Sequence, residues 1–566
     1  MATCELNQDY DLQKPIASTS GLRQGLTSYG DTHFSLFLRK VFIKALGYSE
    51  DALSRPIIGI VNTASGFNPC HGNAAQLLDA TKRGIHLKGG IAIDFPTISL
   101  HEGFSHPTSM FLRNLMSMDT EEMIRAQPVD ACIMIGGCDK TVPAQIMGGI
   151  SANKPVLPLL TGAMIPGRTI DMEEIAAINE ELVPTIGTCG VMGTASTMAC
   201  ITAALGLIPV QGASAPAVSA ARIRIAEQTG ANAVAAAQNR RTPQVILSVK
   251  SFYNAATVLQ AIGGSTNAMV HPMAIINRHP GIKGSINLNT LDDIGRRTPL
   301  LVDLKPSGDN YMNDFHNAGG MLCLLHRLRP LLHLSAKTIT GETLGEFLDR
   351  NSFRDFEYSL SVIRALSDPL HVSSSLIVVE GNIAPNGAVI KASASKDRRL
   401  LRHTGPAVVF ENSRDLALCF DDPDLDVTAD SVLVLKGIGP IGNPGMPEAG
   451  MIPIPRKLAA RVVTDMLRMS DGRMSGTAGG TIVLHISPDS AIPESPFGVV
   501  RSGDLIVFDA EKRILRVDLK DEELQARIKQ RQREITRRGY WGLYERTVNQ
   551  AHEGADFDFL TATGLA

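Results

Sequence analysis

The sequence predicts an α/β protein in two parts: a doubly wound, mostly parallel sheet, followed by a mostly β, barrel-like domain. Three observations predict it. Short, near-continuous apolar runs in the first part alternate with helical patterns, as in a parallel sheet covered on both faces. Near residue 370 the pattern changes to short apolar runs punctuated by Gly, Pro, Asn and Asp, with few helices between them, which favours a barrel. And 566 residues are too many for a single core.

In order, residues 1–55 read as an arm plus a helix around Phe34 to Leu46. The run 56–62 reads as a buried strand, followed by a loop containing Asn68-Pro69-Cys70-His71 and a helix over 74–88. A second strand over 91–94 leads to Ser99-Leu100-His101-Glu102-Gly103. Helical patterns cover 107–118 and 120–127, and a strand over 130–135 ends at Gly136-Gly137, the glycine pair of a tight turn. Another strand is expected at 155–160, a helix at 171–182, and an uncharged helix at 192–207 opened by a glycine-rich loop. The sheet is expected to span roughly residues 56–340. Strands of the second part are expected at 376–379, 388–390, 407–410, 432–435, 482–484 and 505–508, after a linker at 368–375. The expected domains are therefore 1–370 and 371–566.

Composition excludes several classes of function. Apolar residues make up 44% and charged residues 20%, an ordinary globular balance. A net charge of −3 offers no field for nucleic acid, and Arg527 to Arg538 reads as a solvated helix face. Eight cysteines without a CxxC pair form no disulfide framework and suit a reducing cytoplasm. The first residues lack a charged-then-apolar leader pattern. Residues 182–221 carry no charge, but their helical part falls short of the roughly 20 residues a membrane span needs, so a buried helix is expected and no membrane partner.

The chemistry-bearing residues lie in loops after these strands. Cys70, Cys138 and Cys189 occupy glycine- or proline-rich turns, whereas Cys4, Cys132, Cys200, Cys323 and Cys419 lie in the arm or in apolar runs and read as packing residues. Taken singly, each loop cysteine reads as structural; the three together could hold an Fe–S cluster with one iron left open. Glu102, Asp139 and Glu448 are loop acids that suit Mg2+, or else plain solvated carboxylates. Lys140, next to Asp139, would pair with such acids or, carbamylated, join them as another oxygen ligand. The Ser470–Thr477 turn holds several hydroxyls and an arginine, which as spacing says little.

Six motifs taken together resemble the dihydroxy-acid and sugar-acid dehydratase family. They are Asn68-Pro69-Cys70-His71, Gly137-Cys138-Asp139-Lys140-Thr141, the stretch Cys189 to Met198, Gly263-Gly264-Ser265-Thr266-Asn267-Ala268, Gly442-Asn443-Pro444-Gly445-Met446-Pro447-Glu448 and Asp471-Gly472-Arg473-Met474-Ser475-Gly476. The resemblance runs, in order, from about residue 20 to about 545. The resemblance implies Cys70, Cys138 and Cys189 as cluster ligands. It implies Glu102, Asp139, carbamylated Lys140 and Glu448 as Mg2+ ligands, Ser475 as the catalytic base and Thr477 as its helper. It also implies a site between an α/β cluster domain and a barrel, in a homodimer or homotetramer. Branched-chain dihydroxy-acid dehydratases usually carry Tyr-Thr-Ala-Asn where this chain has Gly193-Thr194-Ala195-Ser196, so the resemblance leans to the sugar-acid members and to a small aldonate substrate. It favours a [2Fe–2S] cluster, with [4Fe–4S] as the alternative. The branched-chain enzyme is the second expectation. An Fe–S electron carrier or redox sensor is a third, from another class; it would need neither the acids nor Ser475.

Overall fold

A computed structural model describes residues 20–26, 30–166, 183–373, 375–528 and 537–562. Four strands, β1 (Ile57–Asn62), β2 (Ile91–Pro96), β3 (Ala131–Gly136) and β4 (Val156–Leu160), form a wholly parallel sheet in the order β2-β1-β3-β4. The register pairs Ile57 with Ile91, Ile58 with Ala131 and Cys132 with Val156.

Alternate residues of each strand enter two different cores, which is why these runs are apolar throughout. Ile58, Ile60, Ile133 and Leu157 pack on one face with Leu77 and Val234, from α2 (Ala74–Leu87) and α6 (Ala220–Gln238). Ile57, Val61, Met134 and Val156 pack on the other with Ile43 and Ile124, from α1 (Thr32–Ala45) and α3 (Arg113–Ala126). Because every strand is parallel, all four carboxyl ends open on one edge, and the loops after them gather there.

The sheet is smaller than the sequence predicts. Among the described residues its last strand ends at Leu160, and from Thr194 to Val362 the chain is helical apart from turns and single bridges. The reason lies in burial. The helix expected at 192–207 is α5 (Thr194–Ala204), with every residue buried; the apolar runs after it likewise pack as enclosed helices rather than as further strands. The helical pattern at 107–127 is a 3-10 turn, Ser109–Leu112, leading into α3 alone. The helix expected at 171–182 falls outside the described residues, as does most of the arginine-rich stretch. Cys132, Cys200 and Cys323 are fully buried, as expected of packing residues. No helix among the described residues is long and apolar enough to cross a membrane.

The second part is a closed eight-stranded barrel. Its strands are β5 (Leu376–Gly381), β6 (Ala384–Lys391), β7 (Arg402–Phe410), β8 (Val432–Leu435), β9 (Arg468–Ser470), β10 (Ile482–Leu484), β11 (Leu505–Asp509) and β12 (Ile514–Val517). The order around the barrel is β10-β6-β5-β12-β11-β7-β8-β9. Sequence pattern misses β9, which is three residues long and opens on an arginine, and β12. Ile377, Val379, Ile390, Val434, Met469 and Phe508 fill the interior. Leu376, Val378 and Val389 point outward into the core shared with the helices. Gln260 fastens this seam, donating to Leu376 O and accepting from Leu376 N, each at 3.0 Å.

Two buried arginines tie the far end of the chain beneath the sheet. Arg113 donates to the carbonyls of Gly554 and Ala555 at 2.8 Å each, and Arg278 forks onto Asp556 at 2.5 and 3.0 Å. All three side chains are fully buried.

Candidate active site

The carboxyl edge of the sheet delivers the first group of residues. β3 ends in Gly136-Gly137, where a Cβ on Gly137 would lie 1.7 Å from Thr161 Oγ1, so only glycine lets the turn close. The backbone N–H groups of Gly137 and Cys138 donate to His71 Nε2 at 2.9 and 3.0 Å. An imidazole nitrogen that accepts must be bare, so the ring proton sits on Nδ1, which donates to Thr63 O at 2.9 Å. Burial pushes His71 down to about 4, so it stays neutral. This histidine clasps the Cys70 loop to the Cys138 turn.

The three loop cysteines come together. The thiols of Cys70 and Cys138 hydrogen-bond each other; the Cys70 thiol is lowered by that bond and by His101, while Cys138 is raised by it and by burial. Cys138 also donates to Asp139 at 3.4 Å. Cys70 and Cys138 are buried, whereas Cys189 is exposed. Although Cys189 is open to solvent as a residue, the protein packed around it withdraws enough water, and Cys70, Asp139 and Glu448 add enough negative charge, to raise its thiol to about 11.

Lys140 is the focus of the carboxylates. Its ammonium is wholly buried, pairs with Asp139, and lies 3.5 Å from Glu448 and 3.7 Å from Glu102. Burial would lower its pKa, but Asp139, Glu448 and Glu102 outweigh burial and raise it. Glu102 accepts from Thr108 Oγ1 at 2.6 Å and from Ser109 N at 3.1 Å. Burial would raise Glu102, yet Lys140 and Arg473 hold it at about 2.

The barrel supplies the rest. Glu448, on the loop after β8, receives Arg473 Nη1 at 2.8 Å and Asn267 Nδ2 at 3.2 Å. Arg473 is fully buried, and its Nε holds Met446 O at 2.9 Å. Two residues on, Ser475 Oγ lies 2.8 Å from Thr477 Oγ1 and accepts from Thr477 N at 3.3 Å. Between them, Gly476 packs on the start of α5: a Cβ there would meet Thr194 N at 2.7 Å and Ser265 Oγ at 2.9 Å. Asn267 also donates to Met474 O at 3.3 Å, joining the helical part to this turn.

All nine residues singled out in the sequence thus fall at one place, where the sheet edge meets the barrel. Sequence reasoning gave no role to His71, His101, Asn267 or Arg473, although all but His101 lie inside the motifs. A histidine directly after a candidate ligand, and an arginine two residues before the serine, were the available signals.

The residues fit a cation and a cluster. Three acids from separate segments converge on one ammonium, which stands in for a cation, and three thiols lie within electrostatic reach of each other. Among the described residues no three His, Cys, Asp or Glu side chains are spaced as ligands of a single ion; the acids are drawn instead onto Lys140 and Arg473.

Comparison with known proteins gives the same answer from both halves. Residues 55–347 match the dihydroxy-acid/6-phosphogluconate dehydratase N-terminal family, and residues 361–555 match its C-terminal counterpart. The chain is 38% identical to the 6-deoxy-6-sulfo-D-gluconate dehydratase of Pseudomonas putida, over 91% of this chain and 92% of that one. It is 37% identical to the L-arabinonate dehydratase of Rhizobium leguminosarum bv. trifolii, over 94% and 95%. It is 32% identical to a dihydroxy-acid dehydratase of Caldicellulosiruptor saccharolyticus, over 91% and 97%. The chain is a hydro-lyase of the dihydroxy-acid/6-phosphogluconate dehydratase family.

Proposed function

We propose that this enzyme dehydrates a sugar acid, an aldonate, to its 2-keto-3-deoxy acid in the cytoplasm, as a homodimer or homotetramer. The observation that carries the reaction is the convergence of Glu102, Asp139, Lys140 and Glu448 beside three thiols and the Ser475 turn. The sugar-acid reading is supported by Gly193-Thr194-Ala195-Ser196 and by the sulfogluconate and arabinonate dehydratases among the relatives. Cys70, Cys138 and Cys189 would hold a [2Fe–2S] cluster. Glu102, Asp139, Glu448 and carbamylated Lys140 would hold Mg2+. When bound, these groups supply Lewis acidity toward the substrate oxygens and the positive charge that a serine base requires.

The chain's own residues do the rest. Ser475 Oγ takes the proton from C2, and Thr477, in hydrogen-bond contact with that oxygen, holds it in line. The C2–H electron pair forms the enol and the C3 hydroxyl leaves; hydroxide and the abstracted proton together make the water lost. The enol then becomes the ketone. Arg473 and Asn267 fix Glu448 relative to the serine, since one reaches the acid from within the serine's turn and the other bonds to both. Lys140 has two states: the ammonium pairs with the acids, whereas only a free amine reacts with CO2, so carbamate formation is coupled to the arrival of the cation.

The test is keto-acid release by anaerobically prepared enzyme from a panel of aldonates and from 2,3-dihydroxyisovalerate. Turnover of the branched acid alone would replace the sugar-acid reading with the branched-chain one. A protein holding iron and sulfide without stoichiometric Mg2+, and dehydrating nothing, would be an electron carrier instead.

A further inference from the structure

We infer that the enzyme carries a further binding site, a cavity at the far end of α5, which takes a small carboxylate with an apolar body and acts on turnover through that helix. The inference does not depend on which acid the enzyme dehydrates.

The cavity holds about 300 Å³ and lies between α6, the end of α5 and the turn at 336–344. That is the lower end of the range for small-molecule pockets, about 300–1,000 Å³. Its floor is apolar, built from Ile208, Val210, Ile225, Ile339, Leu344 and Phe347. Its rim is cationic. Arg224 and Lys337 are exposed there, and no carboxylate pairs with either among the described residues. The one acid of the described lining, Glu342, is already taken: it accepts from Arg350 Nη2 and from Thr340 Oγ1 at 2.8 Å each.

Two cations without acid partners above an apolar floor select an anion with a hydrocarbon body. A sugar acid fits badly, because its hydroxyls would lie against Ile, Leu and Phe without hydrogen-bond partners. The ligand is therefore neither substrate nor product, which makes it an effector.

Both ends of α5 are tied, one to the cavity and the other to the serine's pocket. At its end, Ala203 and Ala204 line the cavity. Gly206, just beyond, accepts from Ile339 N at 2.7 Å, and a Cβ on it would lie 2.5 Å from Lys337 O, so the rim turn rests directly on the helix end. At its start, Thr194 Oγ1 accepts from Asn267 Nδ2 at 3.0 Å, and Asn267 also donates to Glu448 at 3.2 Å. Thr194 N is also the atom that a Cβ on Gly476, next to Ser475, would meet at 2.7 Å. At about 1.5 Å per residue, the 11 residues of α5 cover about 15 Å. All of them are buried, and a close-packed helix shifts as a body rather than absorbing a push at one end. A ligand seated against Ala203, Ala204 and Lys337 therefore bears on the same helix that holds Asn267 and the Ser475 turn.

Calorimetry on the holoenzyme tests the site with 4-methylpentanoate as probe. The controls are 4-methylpentanol, which lacks the charge, and inorganic phosphate, which lacks the body. The carboxylate should bind about tenfold tighter than either, or more. Lys337→Met combined with Arg224→Met should weaken it by roughly tenfold or more, and Lys337→Arg combined with Arg224→Lys should keep most of the affinity. Ala221→Phe, which fills the cavity from α6, should abolish binding while keto-acid release without the probe stays normal. In the wild type, saturating probe should change kcat or KM by about fivefold or more, and Ala221→Phe should lose that response. No binding to the wild type would overturn the site. So would equal binding to the wild type and the double Met variant, which would put the carboxylate elsewhere. Binding that leaves kcat and KM unchanged would overturn the effector role. Failure of the wild type to release keto acid from any aldonate would instead refute the proposed function, and the calorimetric result would stand apart from it.

Discussion

The two halves bring residues to the site by different means. On the α/β side the tie is a neutral histidine: His71 gathers backbone N–H groups from the turn after β3 and fastens the loop after β1. On the barrel side the tie is a carboxylate. Asp471, at the head of the serine's turn, accepts from Ser490 N at 2.9 Å and Ile438 N at 3.2 Å. Burial, then Asp489, raises Asp471 to about 7. One half is therefore held by a base that must stay uncharged, and the other by an acid whose charge is costly. These two ties respond to pH in opposite directions, although they frame the same pocket.

The largest effect should come from the α/β side. Changing Cys70, Cys138 or Cys189 to Ser should remove the visible cluster absorption and all turnover. Cys132→Ser and Cys200→Ser, in the cores, should keep both. A full cluster in Cys70→Ser would break the assignment. Lys140→Ala, in the same turn, should likewise abolish turnover. In the wild type, mass and activity should respond together to bicarbonate and Mg2+ if the carbamate forms.

Next comes the barrel. Ser475→Ala removes one oxygen, so cluster and Mg2+ content should persist while the rate falls about 10²–10⁴-fold. Solvent exchange of the C2 hydrogen should stop as well. Near-normal turnover with an intact cluster would remove the serine from the chemistry.

The pH prediction is smaller and sharpens the contrast. His71 binds its proton in the fold only near pH 4, but near 6.5 when unfolded. Stability due to it is complete above about pH 6.5 and is lost as pH falls toward 4, by up to ~3 kcal/mol. His485, pushed by burial to about 3, acts in the same direction. Asp471 does the reverse: its contribution is complete below the ordinary carboxylate pKa near 3.9 and is lost as pH rises through about 7. Urea midpoints from pH 4 to 8 should therefore fall at both ends. His71→Gln should flatten the acid limb only. The smallest effect belongs to Thr477→Ala, which loses one hydrogen bond to Ser475 and should slow turnover by roughly two- to tenfold.

Much of this was legible in the sequence because loops at strand ends announce themselves. Gly136-Gly137 after an apolar run marked the turn that holds Cys138 to Lys140, and it is where the structure has it. The extent of the sheet was less legible. The uncharged run at 192–207 reads as a buried helix and is one, α5; what local pattern does not show is that the chain beyond it stays helical to Val362 and adds no strand to the sheet. Partnerships across the chain were not legible at all. Nothing in local sequence connects Asn267 with Glu448, or Arg473 with the acid it neutralises, because only the closed fold places them side by side.

The arginines beneath the sheet bear on the order in which the chain is assembled. Arg113 and Arg278 belong to the first half of the chain, but several of the carbonyl and carboxylate oxygens that satisfy them belong to residues 554–556. Until that stretch is made, Arg113 keeps only Asn114 and His271 as partners and Arg278 only Ser117, Ser151 and Glu121, so burying the two guanidiniums in full is unfavourable. The helices that carry them, α3 and the one over Asn267–Asn277 just before Arg278, also lie beside Glu102 and the Asn267 bridge. The contacts that complete the burial of these arginines therefore arrive only after the barrel has been made. A chain cut before Gly554 should lose the partners that settle this core.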